Sequence, residues 1–291
     1  MTDIFQHIAS QMEHMSKSQL KVAEYILHNQ NTVPFLNVST LASNADVSEA
    51  TIVRFASFLG FSGYPQLQLQ FQEAIQKHLT TFERLEISNS NYKEAPSDQK
   101  VQQFFKDDIL RLENTAESFR SDTFTQVVDA LVNARKIFVV SNRSSKGLGE
   151  IFHYYLDILL GNSQVVRTMH RGLPQLDGLD QQDVVFAIGF PRYSSDTVEV
   201  FRFARDHGAV TVALTDTLFS PLIPSAQYAL LSTTRTDTFL DSYVAPLSII
   251  NALLVSVSQK NVKKIEERLV RLEKYWKDYG AFASGSGSSE E

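Results

Sequence analysis

Apolar residues recur at two different periods along this chain, and the change of period divides it. In the first eighty or so residues the spacing is helical. Leu20, Ala23, Ile26 and Leu27 share a face of one predicted helix, and Leu67, Phe71, Ala74 and Ile75 share a face of another, with Pro65 suited to its first turn. Polar residues 86–99, which include Pro96, interrupt the pattern and read as a linker. A long amphipathic helix follows, with Val101, Phe104, Phe105, Ile109 and Leu112 on one face. Beyond it lie short β-rich runs at 137–140, 164–166, 184–188, 210–214 and 228–231, several of them separated by helical stretches. That alternation is the signature of βαβ units. A charged helix over 261–279 and a Ser/Gly-rich tail end the pattern.

The pattern predicts an all-α N-terminal domain over 1–80 and a linker over 81–99. An α/β domain is expected over 100–280, built on a parallel five-stranded sheet flanked by helices and ending in a terminal helix, with a flexible tail over 281–291. A chain of 291 residues, 43% hydrophobic and 21% charged, suits two such cores. With no cysteine, disulfides and thiolate metal sites are excluded. The apolar run 244–257 is broken by Pro246, Ser248, Asn251 and Ser256, and no run approaches the roughly 20 residues that span a bilayer. Without a signal pattern at the N-terminus, a cytoplasmic protein with no membrane partner is expected.

The strongest local signal spans 38–60. Val38, Leu41, Ala42 and Ala45 form one apolar helical face. Asp46 and Val47 make a short turn, Ser48 is a good N-cap, and the second helix ends at Gly60. On that second helix Ile52, Phe55, Ala56 and Leu59 face inward, whereas Ala50, Arg54 and Ser57 face outward, with Thr51 at the flank. A small residue, hydroxyls and an arginine at an exposed helix start suit base edges in a major groove. Ser39 and Thr40 open the first helix, where phosphate binds readily, and Tyr64 follows the second helix and could touch the DNA backbone. Many such turns carry Gly where this chain has Asp46, and Asp tolerates the left-handed conformation required there. Charge adds no support. The chain carries −6 overall, and its first 78 residues hold Lys17, Lys21, Arg54 and Lys77 against Asp3, Glu13, Glu24, Asp46, Glu49 and Glu73, four cations to six carboxylates. DNA binding must therefore rest on geometry and on a dimer presenting two such helices. A plain helical bundle with a solvated Arg54 is the competing reading.

Two loops in the second half carry the remaining chemistry. Ser141, Asn142, Arg143, Ser144 and Ser145 follow the first β-run. Gly189, Phe190, Pro191, Arg192, Tyr193, Ser194 and Ser195 follow the third. Each loop precedes a helix, and ligands of parallel α/β sheets bind where strands end and helices begin. Serine hydroxyls and two arginines there suit a phosphate or carboxylate. Turn formation alone is the competing explanation for one such loop, but less so for a matched pair.

Residues 1–78, with S-E-A-T-I-V-R-F at 48–55 and L-G-F-S-G-Y at 59–64, resemble the N-terminal domain of the RpiR-type bacterial regulators. The second half resembles the sugar isomerase (SIS) domain, a flavodoxin-like sandwich, that these regulators carry. The resemblance implies operator DNA, a phosphorylated sugar or sugar-acid effector, and a homodimer or homotetramer as partners. No cofactor, metal or catalytic residue is expected. Departures from the SIS pattern are specific. Ser141 and Arg143 stand at glycine places of the first loop, and Ser145 matches its phosphate-binding serine. In the second loop Gly189, Pro191, Arg192 and Ser194 occupy the places of Ser, Ser, Gly and Thr, so two hydroxyls are lost and an arginine is gained. Thr215, Asp216, Ser220, Pro221 and Leu222 resemble a further family stretch, and Ser242 a serine near the pocket.

SIS domains also occur in sugar-phosphate isomerases, which is the alternative reading. Isomerisation needs a base beside the carbon α to a carbonyl, and His153, Asp157, His170 and Glu199 are candidates by position only. A pure interaction module without DNA is a third class.

Overall fold

A computed structural model describes residues 4–30, 32–76, 82, 84–85, 97–234, 240–260 and 262–282. The chain falls into two compact units, Met1–Asn91 and Tyr92–Glu291. Most of the expected linker and all but the first two residues of the expected tail lie outside the described residues.

In the first unit, helices α1 (Ile4–Gln11), α2 (Lys17–His28), α3 (Val38–Asn44), α4 (Glu49–Phe58) and α5 (Tyr64–Gln76) surround one apolar core. Ser16 starts α2 with a capping box, its hydroxyl accepting from Gln19 N–H while the Gln19 side chain accepts from Ser16 N–H. The stripes expected on α2 and α4 are the ones buried, with Ile26, Ile52, Phe55 and Ala56 fully enclosed. Phe5 of α1 stacks on Phe71 of α5 at 5.6 Å between ring centroids, which joins these two helices across the core.

The second unit opens with α6 (Ser97–Glu117) and α7 (Ser121–Asn133), followed by β1 (Ile137–Ser141), α8 (Lys146–Leu159), β2 (Ser163–Val166) and the single turn α9 (Met169–Gly172). It continues through β3 (Val184–Ile188), α10 (Ser195–Asp206), β4 (Val210–Thr215), β5 (Tyr228–Leu231), α11 (Val244–Lys260) and α12 (Val262–Asp278). The five strands pair in parallel, in the order β2-β1-β3-β4-β5. Both faces are covered, which is why the strands read as continuous apolar runs. Ile137, Val139, Phe186, Val212 and Leu214 pack against α7, α8 and α11. Their neighbours Phe138, Val140, Val185, Ala187 and Ala213 pack against α10.

Strand order fixes where a ligand would sit. The chain winds outward one way from β1 to β2 and the other way from β3 to β5. Loops leaving β1 and β3 therefore lead to helices on opposite faces, and it is at the carboxyl edge between such loops that open α/β sheets bind ligands. The amino edge is closed by Arg135, whose guanidinium forks onto the almost fully buried carboxylate of Asp183 and also donates to the Gly178 carbonyl at 2.9 Å. Burial alone would raise the Asp183 pKa, but the Arg135 hydrogen bonds and charge outweigh it and hold the carboxyl below its ordinary value.

Candidate functional site

In the first unit, α3 and α4 form a helix-turn-helix whose turn has the expected backbone. Asp46 adopts φ 51° and pairs with Lys21 at 2.7 Å on the surface, and the lysine hydrogen bond lowers the Asp46 pKa. Ser48 caps α4 through the N–H of Thr51, and Gly60 ends the segment at φ 89°. Ala50, Arg54 and Ser57 stand exposed on the outward face. Val53, 45% exposed, extends that face; sequence reasoning passes over it, although an exposed aliphatic side chain there suits a thymine methyl.

Three expected contacts in this unit are corrected. Thr51 is buried, its hydroxyl 2.9 Å from that of Ser48, because α4 turns it inward beside the cap. Tyr64 is also buried and donates to the Leu36 carbonyl at 2.7 Å; burial raises its pKa, and it anchors α5 instead of reaching DNA. Thr40 is exposed, but its N–H already donates to the Asn37 side chain at 2.8 Å, so that amide is capped internally. Ser39 remains exposed at the start of α3.

In the second unit, the two predicted loops leave β1 and β3, neighbouring strands in which Ser141 pairs with Ile188. Asn142 donates from its side chain to Thr197 Oγ1 on α10 at 3.0 Å, which links the first loop to the helix after the second. Arg143 and Arg192 are both exposed, and both adopt positive φ, 56° and 66°. A long side chain held there in each loop costs backbone energy, of order 1 kcal/mol per residue, which is a mark of functional constraint. Ser194 begins α10 without capping it through its side chain, and Ser195 is exposed in the first turn. The first amides of that turn have no intrahelical carbonyl partner.

Other expected contacts take structural roles. Ser141 is buried, and its hydroxyl is pressed toward Gly149 of α8, where a Cβ would lie 1.9 Å from Oγ. Ser145 is buried with its hydroxyl within 2.9 Å of the Asn142 carbonyl and 3.1 Å of the Ile188 carbonyl, so it ties the loop to β3. Tyr193 donates to Asp216 through a very short hydrogen bond, and burial, then the Asp216 charge, raise its pKa. Thr215 donates to Ser220 Oγ at 2.8 Å, so the stretch after β4 is a hydrogen-bonded turn. Ser242 donates to Asp108 of α6 at 2.6 Å and is not directed at the loops. Only tertiary contact identifies Tyr243, whose hydroxyl donates to Ser144 at 2.7 Å and whose ring lies 5.7 Å from that of Phe190.

Two of the four candidate bases, His153 and Asp157, lie away from the loops, whereas His170 stands in α9 after the carboxyl end of β2. His153 is bound to Ser163, the first residue of β2, at 2.8 Å, which places it at the amino edge of the sheet. Asp157 lies one turn further along α8, and Glu199 is exposed on α10.

Fold and site together define a two-unit class: a helix-turn-helix head, and a doubly wound α/β unit with a cationic residue in each switch-point loop. Residues 2–78 match the family model of the helix-turn-helix domain, rpiR family, and residues 130–256 match the SIS domain. The chain is 25% identical over 289 residues to the HTH-type transcriptional regulator HexR of Escherichia coli, covering 95% of each chain. It is 22% identical over 263 residues to the regulator RpiR of the same species, covering 89% of this chain and 87% of that one. Among solved structures, the sugar isomerase domain of an RpiR transcription factor from Sphaerobacter thermophilus covers 60% of this chain and 99% of its own, at TM-score 0.58 and 24% identity. The Vibrio vulnificus NanR protein complexed with ManNAc-6P covers 96% and 99%, at TM-score 0.57 and 20% identity. This chain belongs to the rpiR family of DNA-binding transcriptional regulators that carry a SIS domain.

Proposed function

We propose that this protein is a cytoplasmic regulator of carbohydrate metabolism. Its operator affinity is set by a phosphorylated sugar or sugar acid held between loops 142–145 and 192–195. The observation that carries this reading is the pair Arg143 and Arg192. Both sit in left-handed backbone, in loops leaving the two neighbouring strands at which the winding reverses. Their guanidinium groups, with the hydroxyls of Ser144, Ser194 and Ser195 and the first amides of α10, supply forked donors and positive charge for an anion. The fold neighbour NanR is complexed with a sugar phosphate, in agreement with that chemistry.

DNA would be read by the outward face of α4, with Arg54 on guanine or phosphate, Ala50, Val53 and Ser57 close to the bases, and Ser48 and Ser39 toward phosphate. The working boundaries are a head over 1–80, a linker over 81–99 and a sensor over 100–280. Two heads are needed for a near-palindromic site, and self-association supplies them. Val101, Phe105 and Ile109, at successive turns of α6, are 54%, 67% and 54% exposed, and they supply an apolar stripe for a second copy. His153 and Asp157 lie toward the amino edge, away from the loops, which counts against those two as isomerase bases.

The test is fluorescence anisotropy on the DNA upstream of the coding sequence, at fixed salt, with glucose 6-phosphate and 6-phosphogluconate as probes, beside an isomerase assay. Saturable sequence-specific binding that a probe shifts, without turnover, supports the proposal. Binding lost at moderate salt and indifferent to every phosphorylated probe overturns it.

A further inference from the structure

Two consecutive residues connect the switch-point loops to the helix that begins the second unit. Tyr243 touches both loops. Its hydroxyl donates to Ser144 in the first at 2.7 Å, and its ring packs at 57° on Phe190 of the second, with 5.7 Å between centroids. Ser242, one residue earlier, faces the other way and donates to Asp108 Oδ1 at 2.6 Å. The same carboxylate oxygen accepts from Arg111 at 2.8 Å, with both side chains largely shielded from water. The pair is held on either side. Ser242 N–H donates to the buried Thr234 at its carbonyl, and Ser242 Oγ accepts from Val244 N–H at the start of α11. Asp108 lies at the middle of α6, which packs along α11 and is the first long helix after the segment between the units.

We propose that Ser242 and Tyr243 are the positioning residues that couple the two loops to α6, through the contact with Asp108. This rests on the anion-binding reading above. The chemistry sets the direction of the effect. Tyr243 O–H donates to Ser144 Oγ, which leaves the Ser144 proton available to an incoming anion. A hydrogen-bond chain running Tyr243 to Ser144 to anion strengthens each of its members, so occupancy of the loops tightens the hold on Tyr243. Tyr243 cannot shift without Ser242, and Ser242 cannot shift without pulling Asp108 or breaking from it. Loop occupancy therefore biases the setting of α6, which is the differential contact that allosteric coupling requires. Phosphate alone and a phosphorylated sugar would engage the same chain, whereas a neutral sugar would not.

The experiment uses the full chain and three variants: Asp108→Ala, which deletes the acceptor, Asp108→Asn, which keeps an acceptor oxygen, and Arg111→Ala, which removes the ion pair but spares Ser242. Hydrogen exchange of loops 142–145 and 190–195 and of α6 is followed with and without inorganic phosphate, glucose 6-phosphate and 6-phosphogluconate, beside operator anisotropy. In the wild-type protein, loops and α6 change protection together, and operator affinity shifts by about 10-fold. In Asp108→Ala the loops still respond and probe affinity stays within about 3-fold, but the α6 and operator responses fall to a third or less. Asp108→Asn and Arg111→Ala retain most of both. An Asp108→Ala protein that couples like the wild type overturns the inference, as does a wild type whose loops respond while α6 does not. Loops silent to every probe remove the anion-binding reading itself, and the coupling with it.

Discussion

Arg143 and Arg192 share one backbone conformation in two separate loops, φ 56° and 66°, beyond neighbouring parallel strands. Glycine would reach that conformation without cost. Replacing Arg192 with Gly should therefore raise thermal stability, by about 0.5–1 kcal/mol, and abolish sugar-phosphate recognition. Replacing it with Ala should abolish recognition with no stability gain. Differential scanning fluorimetry with and without glucose 6-phosphate or 6-phosphogluconate separates the two effects. A glycine variant that still gains thermal stability from a probe would refute the role of the side chain.

Arg54 stands on the exposed face of α4, and no other arginine lies in the described part of the first unit apart from Arg84. Arg54→Ala should lower operator affinity by about 10- to 100-fold, the 1–3 kcal/mol of a good base contact, and leave probe binding unchanged. Anisotropy on specific and scrambled DNA checks it. An equal loss on both would reassign Arg54 to the phosphate backbone.

Gly149 is forced by packing. Its missing Cβ would fall 1.9 Å from Ser141 Oγ and 2.8 Å from Ser141 Cβ. Gly149→Ala should cost about 1–3 kcal/mol, read by urea unfolding, because α8 must lift from β1. The double variant Gly149→Ala with Ser141→Gly should recover most of that loss.

Asp183 makes the stability of the second unit depend on pH. Its folded pKa is lowered, so its contribution is fully present above the unfolded carboxylate value of about 4 and is lost as pH falls through the folded value. Arg135→Ala leaves the Asp183 carboxylate with the Asp180 N–H but without its cation and should lower stability at neutral pH. The deficit should shrink under acid conditions in chemical denaturation. A deficit independent of pH would show that the loss is packing, not charge.

Phe105 is 67% exposed at the centre of the apolar stripe on α6. Phe105→Glu should shift the protein toward monomer in light scattering and lower operator affinity with it, since one helix-turn-helix reads only a few base pairs. An unchanged mass would place the subunit contact on another face.

Local periodicity was enough for much of this molecule. The inward stripe Ile52, Phe55, Ala56 and Leu59, the Ser48 cap, the Asp46 turn and all five strands follow from residues close in sequence, because helix faces, caps and buried parallel strands are written in short-range patterns. Which hydroxyls stay available was not legible. Ser141, Ser145, Ser242, Thr51 and Tyr64 read as surface donors, yet Ser145, Ser242 and Tyr64 bond the distant Ile188, Asp108 and Leu36, Thr51 bonds its own cap Ser48, and Ser141 Oγ is buried against Gly149 without a hydrogen-bond partner. A polar side chain is a donor in any sequence, and only the packed chain decides which donors are buried and what group lies opposite them. The same holds for Tyr243, which meets Ser144 ninety-nine residues away. Sequence alone thus determined the elements and the two arginine loops, and tertiary structure alone decided which of the polar groups are buried in the fold.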